Sequence, residues 1–593
     1  MASAKHFFDD PTTAVLSALR GVTLLNPSLL FDEKNKIIYR HPSSIASPKN
    51  VSVICGGGSG HEPGFSAFVG QGALTACVAG TIFASPSAQQ VRACLSQRLP
   101  AETEGVVVVV TNYTGDVLNF GMGIEKARAM GKKVEMVVVA DDVGVGRAKG
   151  GKVGRRGLSG TALVVKICGA LAEAGASVRD CAKVGRLVVD NLVSVGASLS
   201  RVHVPGRSLQ EAQDEVERLG PGLVEIGMGI HNEPGCEKVK TDLPGLVKIM
   251  LAQLLDPNDK DRAYVKIEKG ADTVLLINNF GGTSNLELSG VVTEIVSQLD
   301  RDYGLHPRRV FFGTFFGSLN GPGFIISVLK LAVTGLGSGK SILELLDAPA
   351  EATGWAASVK PETWEKRYGQ VDATDEEEKN DTRTSNLKVD PSALKSSLKS
   401  GLNKLISCEA EVTRYDSIVG DGDCGVGLKR GAEGINQYLE EVDIPTDALL
   451  SLTKIASIVE ATMDGTSGAL YAIFLNALAA NIRKQDSTNT TDLTPLMWAH
   501  ALSESLKDLG VYTPAQPGDR TLMDALVPFV ETLKSTGSTK QAAEAAKRGA
   551  ESTKGMKPSL GRSVYVGGKG HDEVPDPGAY GLSQFLTGLA EAL

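Results

Sequence analysis

Five consecutive valines at 106–110 stand between Gly105 and the polar run Thr111-Asn112-Tyr113-Thr114-Gly115-Asp116. A half-exposed strand alternates apolar and polar positions, so an unbroken apolar run of this length predicts a strand covered on both faces of a parallel sheet. Short apolar runs at 51–55, 134–140, 273–278 and 310–314 predict further strands, and helical spacing is read at 89–99 and 161–174. Strand, loop and helix alternate, which predicts an α/β architecture of two lobes sharing one crevice. The apolar run ahead of Gly335, which includes Lys330, reads as helix.

Beyond residue 390 the pattern changes to alanine and leucine at helical spacing with almost no β-branched runs. Amphipathic helices are predicted at 392–410, 448–463, 468–483, 494–509, 521–535 and 540–555, giving an all-α region of about seven or eight helices. Between 356 and 390 the chain is rich in Pro, Glu, Lys, Asp and Thr, a composition that buries too little to order itself. The expected organisation is a first domain over 1–350, with lobes of about 1–190 and 191–350. A linker follows over 351–388, then a helical domain over 389–593. Such a linker spans on the order of 30 Å root-mean-square.

A chain of 593 residues exceeds a single core. With 61 basic and 69 acidic residues the formal charge is -8, which argues against a nucleic-acid or anionic-membrane surface. No stretch is read as reaching the ~18 consecutive apolar residues of a spanning helix, and the N-terminus lacks a signal-peptide core. The eight cysteines are scattered without a C-x-x-C pair. A soluble, cytoplasmic protein with reduced thiols is expected.

Candidate chemistry lies at predicted strand ends and in glycine-rich turns. Ligands of open parallel sheets bind beyond the carboxyl ends of strands, where Asp116 and the loop Gly56-Gly57-Gly58-Ser59-Gly60-His61-Glu62-Pro63-Gly64 both fall. A second loop echoes the first: Gly227-Met228-Gly229-Ile230-His231-Asn232-Glu233-Pro234-Gly235. Two glycine-framed histidines followed by Glu-Pro-Gly point to one site built from two loops; a tight turn with a solvated histidine is the plainer reading of either alone. The segment Gly335-Leu336-Gly337-Ser338-Gly339-Lys340-Ser341 resembles a phosphate-binding loop but is one residue short, with Thr334 where a glycine is needed.

In the helical region Asp416, Asp421 and Asp423 place three carboxylates within eight residues, separated by glycines. Such groups repel one another unless a cation sits among them. An oxygen-only donor set favours magnesium, which bridges carboxylates to nucleotide phosphates. The alternatives are a calcium loop, whose register is absent, and a solvated acidic turn. Gly465-Thr466-Ser467-Gly468 opens a helix whose amides are suited to phosphate oxygens, while Arg562 and Asp576-Pro577-Gly578 lie in late loops suited to close over a nucleotide.

Taken together and in order, the segments at 56–63, 112–116, 227–235, 281–288 (Gly-Gly-Thr-Ser-Asn-Leu-Glu-Leu), 420–425 and 575–578 resemble those of the ATP-dependent dihydroxyacetone kinases across nearly the whole chain outside the linker. The resemblance implies an N-terminal substrate domain and a C-terminal helical barrel binding ATP with two magnesium ions. It implies that His231 adds to the ketone of dihydroxyacetone as a hemiaminal, that His61 orients the substrate, and that Asp116 takes the proton of the attacking hydroxyl. Gly58, Ser59, Gly60, Ser85 and Thr111 fall at other substrate positions. Asp416, Asp421 and Asp423 fall at the magnesium ligands. Asp423, Cys424, Gly425, Val426 and Gly427 fall at nucleotide contacts, as do Ser467, Gly468, Leu522, Arg562 and Asp576 to Gly578.

The implied reaction is phosphorylation of dihydroxyacetone, and of glyceraldehyde, by a homodimer. Two departures stand out: Thr111 where related domains often carry lysine, and Cys424 where bacterial relatives have histidine. A rival reading is a lyase that splits FAD into AMP and cyclic riboflavin phosphate in the same nucleotide site. A non-enzymatic ketose sensor is the other, but a pure binder needs no metal triphosphate site.

Overall fold

The computed structural model describes residues 6–208, 219–220, 222–366, 384–486, 492–560, 562–565 and 570–593. The chain divides into two compact units, Met1–Gly369 and Gln370–Leu593. The first holds two six-stranded sheets. One is formed by β1 (Leu29–Asp32), β2 (Ile37–Arg40), β3 (Ser52–Ser59), β4 (Ala76–Ile82), β5 (Val106–Thr111) and β6 (Val134–Val139), in the order β1-β2-β4-β3-β5-β6. Its central strands β4, β3, β5 and β6 are parallel, and β1 and β2 add an antiparallel edge.

The valine run is β5, and all five valines are fully buried. Val107 and Val109 pack into one apolar cluster, while Val106, Val108 and Val110 pack into another across the sheet. Successive side chains of a strand point to opposite faces, so a run without polar interruption is what a doubly covered strand requires. Helices Ala88–Gln97 and Thr114–Ala129 cover one face. The other is covered by Gly160–Glu173, in which every residue from Gly160 to Ala172 is buried. A helix that is apolar all round is a buried helix; this one also packs on the second sheet.

The second sheet comprises β7 (Leu192–Ser198), β8 (Val224–Ile226), β9 (Glu237–Val239), β10 (Thr273–Asn279), β11 (Arg309–Gly313) and β12 (Gly323–Lys330), ordered β11-β10-β12-β7-β8-β9. Only β10 and β11 run parallel. The run ending at Lys330, read as helix from sequence, is strand β12. Its side chains are buried on both faces, Ile325 and Leu329 in one apolar cluster and Phe324, Ile326 and Val328 in another, while its edges pair with β10 and β7. The phosphate-loop look-alike therefore does follow a strand, but it leads into a six-residue helix, Ile342–Asp347, capped by Ser341.

Of the stretch read as linker, Ala352 and Trp355 are buried in the first unit, and Leu387 is buried in the second. Residues 367–383 lie outside the described ones.

The second unit is helical. Among its described residues nine helices have eleven or more residues. The helix predicted over 392–410 ends at Ser407, and a separate helix, Glu409–Val419, follows. Eight helices close a ring in which each packs on the next: Pro391–Ser407, Cys424–Glu441, Ala448–Thr462, Gly465–Arg483, Pro495–Leu509, Met523–Thr536, Thr539–Ser552 and Pro577–Glu591, the last returning to the first. Leu402, Leu452, Phe474, Trp498, Phe529 and Leu586 line an apolar cavity of ≈ 950 Å³ inside it. Gly465–Arg483 has the length and mean hydropathy of a membrane-crossing helix, but Thr466, Ser467, Asn476 and Asn481 interrupt its apolar positions. Here it is one stave of the ring, with Leu470, Phe474 and Leu478 turned to the cavity.

Candidate active site

Two loops from different sheets bring the two glycine-framed histidines together. β3 runs into Gly60, whose φ of +98° is left-handed and closed to most side chains. The chain then buries His61, which is 2% exposed. β8 ends at Ile226 and leads into the loop that carries His231. The two Nε2 atoms lie 3.0 Å apart.

Their tautomers follow from their other partners. Nδ1 of His61 is 3.0 Å from the Gly317 carbonyl, and Nδ1 of His231 is 2.8 Å from Oε1 of Glu233. A carbonyl and a carboxylate only accept, so both Nδ1 atoms carry hydrogen. The neutral rings then oppose lone pairs at Nε2. Such a pair either shares one proton or opens to admit a third atom.

The surroundings keep His61 neutral. Its ring is stacked between Phe316 at 5.3 Å and Phe83 at 5.2 Å. Burial, then the charge of His231, lowers its pKa to about 3. His231 meets the ring edges of Tyr113 at 4.8 Å and Phe83 at 5.2 Å.

The backbone here is strained. Phe83, Asn232 and Leu319 all adopt positive φ (57°, 66° and 49°), at a cost on the order of 1–3 kcal/mol each. Hydrogen bonds hold them in place: Phe83 N to Ser59 O, Leu319 N to Gly60 O, and the Asn232 amide to both backbone groups of Val202.

Asp116 sits in the first turn of Thr114–Ala129, beyond the carboxyl end of β5, and is 5% exposed. Oδ2 accepts from Thr111 Oγ1 at 3.2 Å, and Ser85 also hydrogen-bonds the carboxylate. Oδ1 is buried without a partner. Burial raises the pKa of this carboxyl, against those two hydrogen bonds and His231. Thr111 thus orients Asp116. The Ser59 hydroxyl is committed to the Gly80 carbonyl at 3.1 Å. Gly58 packs on the backbone of Phe83 and Ala84.

Sequence reasoning assigned no role to the groups behind His231. Glu233 accepts from Nδ1 through one oxygen and from the His231 backbone N–H through the other. Burial alone would raise its pKa, but His231, then Arg156, hold it below the usual carboxylate range. Space for this contact comes from Gly229: a Cβ there would run into Glu233 Oε2 and Arg156 Nη1. Gly229→Ala is therefore expected to cost roughly 1–3 kcal/mol by overpacking, together with much of any activity that depends on His231. Thermal unfolding checks this, and a variant as stable as its parent would mean that the carboxylate moves aside freely.

In the helical unit, candidate ligand oxygens of Asp416, Asp421 and Asp423 lie within 4.8 Å of one another, with Asp416 buried and the other two exposed. Asp416 Oδ2 accepts the Cys424 backbone N–H at 3.0 Å, which fixes one carboxylate beneath the turn. This all-oxygen set fits a hard divalent cation such as magnesium.

The surrounding helix N-termini gather at the same end of the ring. Cys424 Sγ is 3.8 Å from Ser467 Oγ, which joins the start of Cys424–Glu441 to that of Gly465–Arg483. Gly425 packs on Glu409–Val419, Val426 is exposed, Gly427 has open space beside it, and Gly468 packs on Met463. Leu522 precedes Met523–Thr536, and Gly578 approaches it closely.

Asp576 caps Pro577–Glu591, and burial pushes its pKa up to about 6. The N-termini of these four helices form a setting for phosphate groups. Arg562 begins a short 3₁₀ turn; its side chain lies outside the described residues. Arg520, unforeseen from sequence, is buried with a φ of 60° and donates to the Val574 carbonyl at 2.9 Å.

A paired-imidazole pocket on an α/β unit, with an acidic cation site on a helical ring, is the architecture of a two-domain kinase of small carbonyl compounds. Residues 20–354 match the Dak1 domain and residues 418–591 the DAK2 domain. The chain belongs to the dihydroxyacetone kinase family. It is 41% identical to the dihydroxyacetone kinase of Pichia angusta, covering 100% of this chain and 98% of that one. It is 34% identical to the human triokinase/FMN cyclase, covering 97% of each. The crystal structure of the dihydroxyacetone kinase from C. freundii in complex with AMP-PNP and Mg2+ matches over 100% of both chains, with TM-score 0.62 and 28% identity.

Proposed function

We propose that this chain transfers the γ-phosphoryl group of ATP to dihydroxyacetone, and to glyceraldehyde, with the acceptor held covalently on His231. The observation that carries this reading is the bared Nε2 of His231, whose Nδ1 proton is fixed by Glu233 and whose lone pair faces His61. A three-carbon ketone offers little area for binding, and a bond to the imidazole supplies the orientation that contacts cannot.

With both rings neutral and the pair opened, the lone pair of His231 Nε2 adds to the carbonyl carbon. The carbonyl oxygen takes a proton from solvent, and the bare Nε2 of His61 accepts a hydrogen bond from the new hydroxyl. The alkylated ring keeps Nδ1–H against the Glu233 carboxylate, so its new charge is met. Asp116, through its unpartnered Oδ1, then takes the proton of the terminal hydroxyl as that oxygen attacks the γ-phosphorus and ADP leaves. Breaking the C–N bond returns His231 and releases dihydroxyacetone phosphate. Gly58, Ser59 and Gly60 shape the wall beside His61; Ser85 and Thr111 hold Asp116.

Asp416, Asp421 and Asp423 would hold magnesium, two ions in this reading, which supplies charge neutralisation of the triphosphate when bound. Cys424 to Gly427, Ser467, Gly468, Leu522, Arg562 and the turn at Asp576 surround the nucleotide. The protein acts in the cytoplasm as a homodimer; the eight free thiols support a reducing compartment.

A coupled assay with ATP and magnesium is expected to give ADP with dihydroxyacetone or glyceraldehyde and none with glycerol, which has no carbonyl. Equal rates with glycerol would remove the covalent anchor. The name of the human relative favours a second reading, in which the nucleotide site also splits FAD to cyclic FMN. Incubation with FAD and manganese, without a ketone, tests for that product.

A further inference from the structure

Behind the reacting histidine lies a chain of charges. Asp142 is fully buried; its Oδ1 accepts the Gly144 N–H at 2.8 Å, and its Oδ2 takes both Nη2 and Nε of Arg156, at 2.7 and 2.8 Å. Nη2 of Arg156 also donates to the Gly227 carbonyl at 2.7 Å, so the guanidinium grips the first residue of the His231 loop. Nη1 lies 4.0 Å from Oε2 of Glu233, whose other oxygen meets Nδ1 of His231 at 2.8 Å. Gly229 leaves no filled volume between them. One cation thus stands between two carboxylates, only one of which touches the imidazole.

We propose that Arg156, anchored on Asp142, is a positioning residue that keeps Glu233 ionised and turned to Nδ1 of His231, so that Nε2 keeps its lone pair for the ketone. This rests on the role given to His231 above. Arg156 touches no reacting atom. Its charge opposes protonation of the histidine pair and favours the carboxylate form of Glu233, and its fork holds the loop in register. The other groups facing the pair are His61 from the β3 loop, and Tyr113 and Asp116 from the segment after β5.

The two ends of the chain give opposite signs. Arg156→Gln removes the cation, so the pair holds its proton to higher pH, and an imidazolium has no free lone pair. The acid limb of kcat/KM for dihydroxyacetone moves up by roughly one pH unit, with about a tenfold loss on the acid side of the limb that disappears well above it. Asp142→Asn leaves the cation facing the pair with less compensation, and the limb moves down. Arg156→Lys returns the limb to its parental position.

Each variant is measured on the full chain by its pH profile, and by 13C NMR of dihydroxyacetone labelled at the carbonyl carbon, which reports the change from ketone to hemiaminal without turnover. If one of the two opposing variants does not fold, the sign of the other decides. A limb that stays put in either folded variant, or moves the same way in both, overturns the inference and leaves Arg156 a structural contact. Absence of the hemiaminal signal in the parent protein overturns the reading of His231 itself.

Discussion

His231→Ala is expected to lower kcat/KM for dihydroxyacetone by at least ~100-fold while leaving ATP affinity unchanged. In the proposed mechanism the alanine removes the atom that bonds to the ketone, and nothing else around His61 can replace that bond. Phe83, Phe316 and Tyr113 offer ring surfaces, and Asp116 offers one unpartnered oxygen. The substrate would then be held by a few hydrogen bonds in a pocket built for a fixed carbon. Steady-state kinetics over a wide range of dihydroxyacetone, with titration of a fluorescent ATP analogue, separate the two effects. Activity retained at low dihydroxyacetone would sink the anchoring role.

Asp423→Asn should abolish most magnesium-dependent turnover, by about 100-fold, with dihydroxyacetone capture intact. Replacing one of three carboxylates around a hard cation by a neutral amide costs several kcal/mol of charge stabilisation, and 2.7 kcal/mol is about 100-fold in rate. Asp423 is exposed and stands at the start of Cys424–Glu441, so the substitution leaves the helical core alone. The check is kcat as a function of magnesium, with the 13C signal of the captured ketone as control. Unchanged turnover at limiting magnesium would remove this cluster from the reaction.

Much of this was legible in the chain because it is written in local pattern. The valine run announced a doubly covered strand, and the two glycine-framed histidine loops, each closed by Glu-Pro-Gly, announced one site from two places. Three aspartates within eight residues announced a cluster of carboxylates, which their turn brings together. What escaped depends on distant partners. Lys330 closes a run whose composition suits either period, and only its place between β10 and β7 makes it a strand. Cys408 interrupts a stretch that reads as one helix, and no proline or glycine marks the break.

Glu233 was quoted within its motif yet given no task, because its partner Arg156 lies in another loop and owes its place to Asp142. The ring sandwich on His61 joins residues from three segments, with Phe316 more than 250 positions away. Such contacts leave no periodic trace. Thr111, whose contact the sequence left open, is resolved by the shortness of its own turn, which folds it back onto Asp116.

The helix Gly160–Glu173, buried from Gly160 to Ala172, lies between the sheet that carries His61 and the sheet that carries His231. It acts as a spacer gauge for the gap between two imidazoles. A lone pair reaches a carbonyl carbon only over a narrow range of separation, and close-packed interiors pass on a change of even one methylene. Residues such as Ala162 and Cys168, remote from any substrate, therefore carry a tolerance measured in tenths of an ångström at the far end of the unit. Selection for catalysis reaches into the core through the thickness of this helix.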